Sequence, residues 1–111
     1  MDPLSLRNLA EETSIQVAET FAANYAGLLP QRVERIVRSV GIGDRAMAMD
    51  ASLSLRTSSS MAGALRMSRL CRDLEQALVA ADAVSAAAAA REITIHLPGL
   101  QEALAASPPI R

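Results

Sequence analysis

Apolar residues recur at three- and four-residue spacing along nearly the whole chain, in runs separated by short breaks that carry Gly, Pro or Asp. That period is helical, and the breaks divide the chain into five segments. Leu4 to Glu12 reads as a short leading helix, with Asp2 as N-cap and Pro3 at the first helical position, where its missing N–H removes no bond. A long helix follows from about Ser14 to Val40, with Ile15, Ala18, Phe21, Ala22, Tyr25, Leu28 or Leu29, Val33, Ile36, Val37 and Val40 on one broad apolar face. Pro30 lies inside it and is expected to kink or locally break it. Gly41-Ile42-Gly43 ends this helix, and Asp44 is placed to cap the next.

The third segment, Asp44 to Ser60, has a face of small and apolar residues: Ala48, Ala51, Ser52, Leu55, Ser59 and, just beyond, Ala62. Its opposite face carries Arg45, Met49, Leu53, Arg56, Thr57 and Ser60. A fourth helix is expected over Gly63 to Ala81, burying Met67, Leu70, Cys71, Leu74, Ala77 and Leu78. A fifth is expected over Asp82 to Ala106, burying Ala83, Ala87, Ala90, Ile93, Leu97, Leu100 and Leu104, with a kink at Pro98-Gly99. Segments of this length joined by turns of a few residues predict an all-α fold, an antiparallel four-helix bundle with a short N-terminal helix. It forms a single domain over 1–111, in which 1–13 is the leading helix and 107–111 a tail.

Composition supports helices over strands. Phe21 and Tyr25 are the only aromatic rings, and the core is left to Leu, Ile, Val, Met and many Ala, the strongest helix former. The formal net charge of −1 gives no long-range attraction to nucleic acid or to an acidic membrane surface. No charged leader with an apolar run opens the chain, and no long uncharged apolar stretch occurs, so a cytoplasmic protein is the expectation. The lone Cys71 sits on an apolar helical face and reads as a core residue. No cofactor or metal site is expected.

The stretch Leu53 to Ala64, Leu-Ser-Leu-Arg-Thr-Ser-Ser-Ser-Met-Ala-Gly-Ala, resembles the signature of the histidine phosphotransfer (HPt) family, with Leu53 where that family carries its phospho-accepting histidine. Leu55, Arg56, Ser58, Ser59, Gly63 and Ala64 fall in register with it. The run Leu70-Cys71-Arg72-Asp73-Leu74-Glu75 and the stretch Phe21 to Gly43, with Leu29-Pro30-Gln31-Arg32-Val33, are similar to the same family. The resemblance implies a four-helix bundle and a place in phosphorelay signalling, with a receiver domain or histidine kinase as partner. It also implies that Arg56 stands where the family's basic residue steadies phosphate oxygens, while Thr57 replaces a common Gly.

A relay histidine must offer an imidazole nitrogen as nucleophile, and leucine has no lone pair to offer. Ser58, Ser59 and Ser60 lack a base at helical spacing, and the single His96 belongs to the last helix. The expectation is therefore a non-catalytic HPt-like protein that binds its partner through Arg45, Met49, Leu53, Arg56, Thr57 and Ser60, with Arg32 and Arg35 alongside. A second reading is a structural bundle that homodimerises through the Met49/Leu53 face. A third is an active phosphotransferase labelled on His96.

Overall fold

The computed structural model describes Ser5 and residues 15–106; the expected leading helix, apart from Ser5, and the expected tail lie outside them. Four helices make up the described chain: α1 (Ile15–Gly41), α2 (Arg45–Ala62), α3 (Leu65–Val79) and α4 (Ala83–Ala106). They form an antiparallel four-helix bundle. Helix α1 packs on α2 and α4, and α3 packs on α2 and α4, so α1 faces α3 and α2 faces α4 across the diagonals.

The three reversals between helices share one construction. At the end of α1 the N–H of Asp44 donates to the Ser39 carbonyl and that of Gly43 to the Val40 carbonyl. At the end of α2 the N–H of Ala64 reaches Ser59 and that of Gly63 reaches Ser60. At the end of α3 the N–H of Asp82 reaches Ala77 and that of Ala81 reaches Leu78. This paired pattern satisfies the last free carbonyls of a helix and needs one residue in the left-handed region. Gly43 and Gly63 take that conformation at φ 74° and 77°, and Ala81 takes it at φ 54° despite its Cβ. Gly63 thus belongs to the turn, two residues before the helix that the sequence pattern starts there.

The next helix often begins on the residue that closes the turn. The Asp44 carboxylate accepts from the Met47 N–H at 3.0 Å, and that of Asp82 accepts from the Ser85 N–H at 3.0 Å and its hydroxyl at 2.6 Å. Those Ser85 hydrogen bonds hold the Asp82 carboxyl below its ordinary value. Neither internal proline interrupts its helix: α1 runs on through Pro30 and α4 through Pro98. Both prolines face solvent, and packed turns on either side of Pro30, at Leu29 and Val33, hold the helix in line against the one lost bond.

Leu29 and Ile36 from α1, Leu55 from α2, Met67, Cys71 and Leu74 from α3 and Ile93 from α4 meet in the core, all fully buried. Each large apolar side chain so placed contributes on the order of 2 kcal/mol. The inward face of α2 is Ala48, Ala51, Ser52, Leu55, Ser59 and Ala62, as the pattern predicts. The buried set of α3 likewise matches, with Ser68 added.

Two faces differ from expectation. In α1, Leu29 is the buried member of the Leu28/Leu29 pair, and Ile15 and Val37 are exposed. In α4 the buried positions are Ala86, Ala89, Ala90, Ile93 and Leu100, while Ala83 and Ala87 face solvent and Leu97 and Leu104 are half-buried. Five consecutive alanines, Ala86 to Ala90, offer no contrast from which to read a phase, so tertiary packing chooses it.

Candidate functional site

The outer face of α2 is organised by what its inner face buries. With Ala51, Ser52 and Leu55 turned inward, Leu53 is carried outward in the middle of the helix, 40% exposed. Around it Asp50, Ser54, Thr57, Ser58 and Met61 line a shallow depression. Asp50 and Thr57 lie three and four residues from Leu53 and Met61 two turns on, a helical spacing present in the sequence but used there only for Thr57, whereas Ser54 and Ser58 border the depression from its side.

Helix α1 supplies the second wall. Arg32 donates from Nη1 to the Ser58 hydroxyl at 3.0 Å, and Arg35 pairs with Asp50 at 2.8 Å. The Ser58 hydroxyl in turn donates back to the Ser54 and Leu55 carbonyls, and Thr57 donates to the Leu53 carbonyl. Arg32 and Arg35 therefore stand beside the Leu53 face, as their three-residue spacing suggests.

Other expected members of the site are directed elsewhere. Met49 is half-buried against the core and lines a separate depression with Arg72, Glu75, Gln76 and Val79. It does not join Leu53 in the depression around that residue. Arg56 turns toward α3, where its Nε lies 2.9 and 3.0 Å from the two carboxylate oxygens of Glu75. Glu75 also accepts from the buried Ser52 hydroxyl at 3.1 Å, which reaches the Cys71 carbonyl at 2.9 Å as well. The guanidinium that the resemblance assigns to phosphate oxygens is thus engaged by an internal carboxylate, and it ties α2 to α3.

Ser60 faces α3 and shares a 2.7 Å hydroxyl contact with Ser68. Arg45 lies at the start of α2, about 12 Å along the helix axis from Leu53 at 1.5 Å per residue. The outer site consequently consists of Leu53, Thr57, Asp50, Ser54, Ser58 and Met61, with Arg32 and Arg35 on its border.

The hydroxyls on the inward face of α2 are held in hydrogen bonds within the bundle. Ser52 is the α2 hydroxyl that touches a carboxylate, and it is fully buried. Ser59 is also buried, and its hydroxyl lies 2.7 Å from that of Tyr25. Burial pushes the Tyr25 hydroxyl up to about 12. Burial likewise pushes the Cys71 thiol up to about 12, which keeps it protonated and unreactive in the core.

His96 lies on α4, the helix diagonally opposite α2. Partial burial, and then the nearby charge of Arg66, hold its imidazole below its ordinary value. Among the described residues, no group of three His, Cys, Asp or Glu side chains is placed to hold a metal ion, and no helix is long and apolar enough to cross a membrane. No family model, curated protein or solved structure matches this chain.

Proposed function

We propose that this chain is a non-phosphorylating HPt-like module that docks on a receiver domain or histidine kinase through the outer face of α2. The observation that carries the reading is Leu53, presented to solvent at the position where the similar signature has its histidine, with Arg32 and Arg35 beside it. A receiver's phosphorylation pocket is acidic and ringed by apolar loops, so an apolar knob bordered by Arg32 complements it, while the charge of Arg35 is matched by Asp50 on the same face. The nucleophile is missing there, and His96 lies across the bundle from this face.

The contribution of Leu53 follows from its exposure. Complete burial of a leucine is worth about 2 kcal/mol, and 40% of this one remains to be covered, so Leu53→Ala weakens binding by roughly 1 kcal/mol, or about fivefold. Leu53→Asp adds an unpaired carboxylate to the interface and weakens it by more than about tenfold. Calorimetric titration against the receiver domains of the same cell, with thermal unfolding to verify that both variants remain folded, measures this. No receiver bound, or binding indifferent to Leu53→Asp, would end the proposal. Sedimentation of the isolated protein separates the other class of reading: a dimer dissociated by Leu53→Asp would replace receiver docking with self-association.

A further inference from the structure

Two of the four helices outrun the other two at the end of the bundle marked by the Gly63-Ala64 turn. Helix α1 has 27 residues against 18 in α2, and α4 has 24 against 15 in α3, while the Gly43-Asp44 and Ala81-Asp82 turns stand together at the other end. The first turns of α1 and the last turns of α4 therefore run on as a pair for about 13 Å beyond α2 and α3. Their seam is apolar: Ala18 is fully buried and Leu100 is 4% exposed, with Phe21, Leu97 and Leu104 half-buried beside them. Two helices in contact leave a seam open along its sides, so this burial requires a third wall. Neither α2 nor α3 supplies it at Ala18, which lies about two turns beyond Tyr25, the residue level with Ser59 near the end of α2.

Residues 1–14 are placed to form that wall. They join α1 at Ile15, at the tip of the pair, and this tether keeps them at high local concentration over the seam. Leu6, Leu9 and Ala10 recur at three- and four-residue spacing, with Arg7, Asn8, Glu11 and Glu12 between and after them. Ser5, one helical turn before Leu9, is itself helical and half-buried. About ten helical residues span the roughly 15 Å from the level of Ala106 back to that of His96. There the positive charge of the chain's amino terminus is among those that hold the His96 imidazole below its ordinary value.

Other occupants match the seam less well. Glu19 and Glu102, the charged residues of these turns, face solvent, which leaves no carboxylate in the seam for a cation. The five residues after Ala106 include Pro108 and Pro109, which break a helix, and a single large apolar side chain, Ile110. We infer that residues 1–14 fold back from Ile15 as an amphipathic helix whose Leu6 and Leu9 cover the seam between α1 and α4. So placed, the segment lies beyond the end of α2, and Leu53, about 13 Å back along that helix, stays uncovered.

A nitroxide attached to Asp2→Cys in the full chain tests the placement, since the buried Cys71 thiol stays unlabelled while the protein is folded. The expected result is strong broadening of the His96 and Leu100 amides in a two-dimensional nitrogen–proton spectrum, with Gly43 and Ala81 at the far end unaffected. Leu9→Asp, which lies outside the four helices, should remove the broadening at His96. In the chain without the label it should speed amide exchange at Ala18 and Leu100 by about tenfold or more and leave the middle of α2 and α3 unchanged. Nitroxide-bearing chains mixed with isotope-labelled chains that lack the nitroxide should give no broadening. Broadening in that mixture gives the seam to a second copy and overturns the inference, as does broadening and exchange indifferent to Leu9→Asp.

Discussion

Replacing Ser59 by Ala tests the contact that holds α1 to the second half of α2. The Tyr25 and Ser59 hydroxyls lie 2.7 Å apart, with Tyr25 only 4% exposed and Ser59 fully buried. Removing the serine hydroxyl strands the phenol away from water, which costs about 1–3 kcal/mol. Tyr25→Phe is milder, because the remaining serine can turn its hydroxyl to the carbonyl one helical turn earlier, and it should cost about 1 kcal/mol. The double variant leaves neither group stranded, so its loss should fall short of the sum of the two single losses by about 1 kcal/mol or more.

Urea unfolding followed by circular dichroism gives all three values, and at roughly 4 °C per kcal/mol the Ser59→Ala loss corresponds to about 4–12 °C in Tm. The Tyr25 titration provides a second reading. Burial raises its pKa and the Ser59 hydrogen bond lowers it, so Ser59→Ala should move the phenol still higher in ultraviolet absorbance. A Ser59→Ala variant within about 0.5 kcal/mol of the parent, the spread of an ordinary surface substitution, or strict additivity of the pair, would refute the reasoning.

Three further outcomes follow from local geometry. Ala81→Gly should stabilise the protein by about 0.5–1 kcal/mol in denaturant unfolding, because it removes the Cβ penalty at φ 54° in a turn whose two counterparts already use glycine. Cys71 should resist a thiol-alkylating reagent at pH 8 in the folded protein and react once urea unfolds it, so alkylation followed by mass spectrometry reports unfolding directly. His96 has a folded pKa below its ordinary value of 6.5, so the unfolded chain binds its proton more readily. Its contribution to stability is present above pH 6.5 and is lost as the pH falls through the folded value; His96→Gln should remove that part of the acid slope in a series of unfolding curves.

The fold was readable wherever polarity alternates sharply along a helix. The inward face of α2 and the apolar stripe of α3 were evident because their central apolar positions are bracketed by polar ones: Leu55 lies between Ser54 and Arg56, Met67 between Arg66 and Ser68, and Leu74 between Asp73 and Glu75. The polyalanine stretch of α4 lacks such contrast, and its orientation comes from the neighbours it packs against. The site was legible in part for a different reason. Helical spacing shows that Leu53 and Arg56 lie near one face of α2, but a long flexible side chain selects among partners on other helices. Arg56 finds Glu75, nineteen residues away in the chain, and nothing in the local pattern indicates that pairing. Met49 illustrates the same limit, since it follows the buried Ala48 at the edge of the inward face and packs half-buried against the core.

The hydroxyls of Thr57 and Ser58 give the Leu53 face a character that its composition hides. Both donate their protons to carbonyls within α2, and Ser58 also receives the Arg32 guanidinium. A partner covering Thr57 and Ser58 would therefore meet hydroxyl hydrogens already matched within the helix, and it need not replace the water those two groups would otherwise hold. A row that reads as hydrophilic in one-letter code can behave as a low-cost contact surface around a single leucine, tolerant of partners that bring few hydrogen-bonding groups of their own.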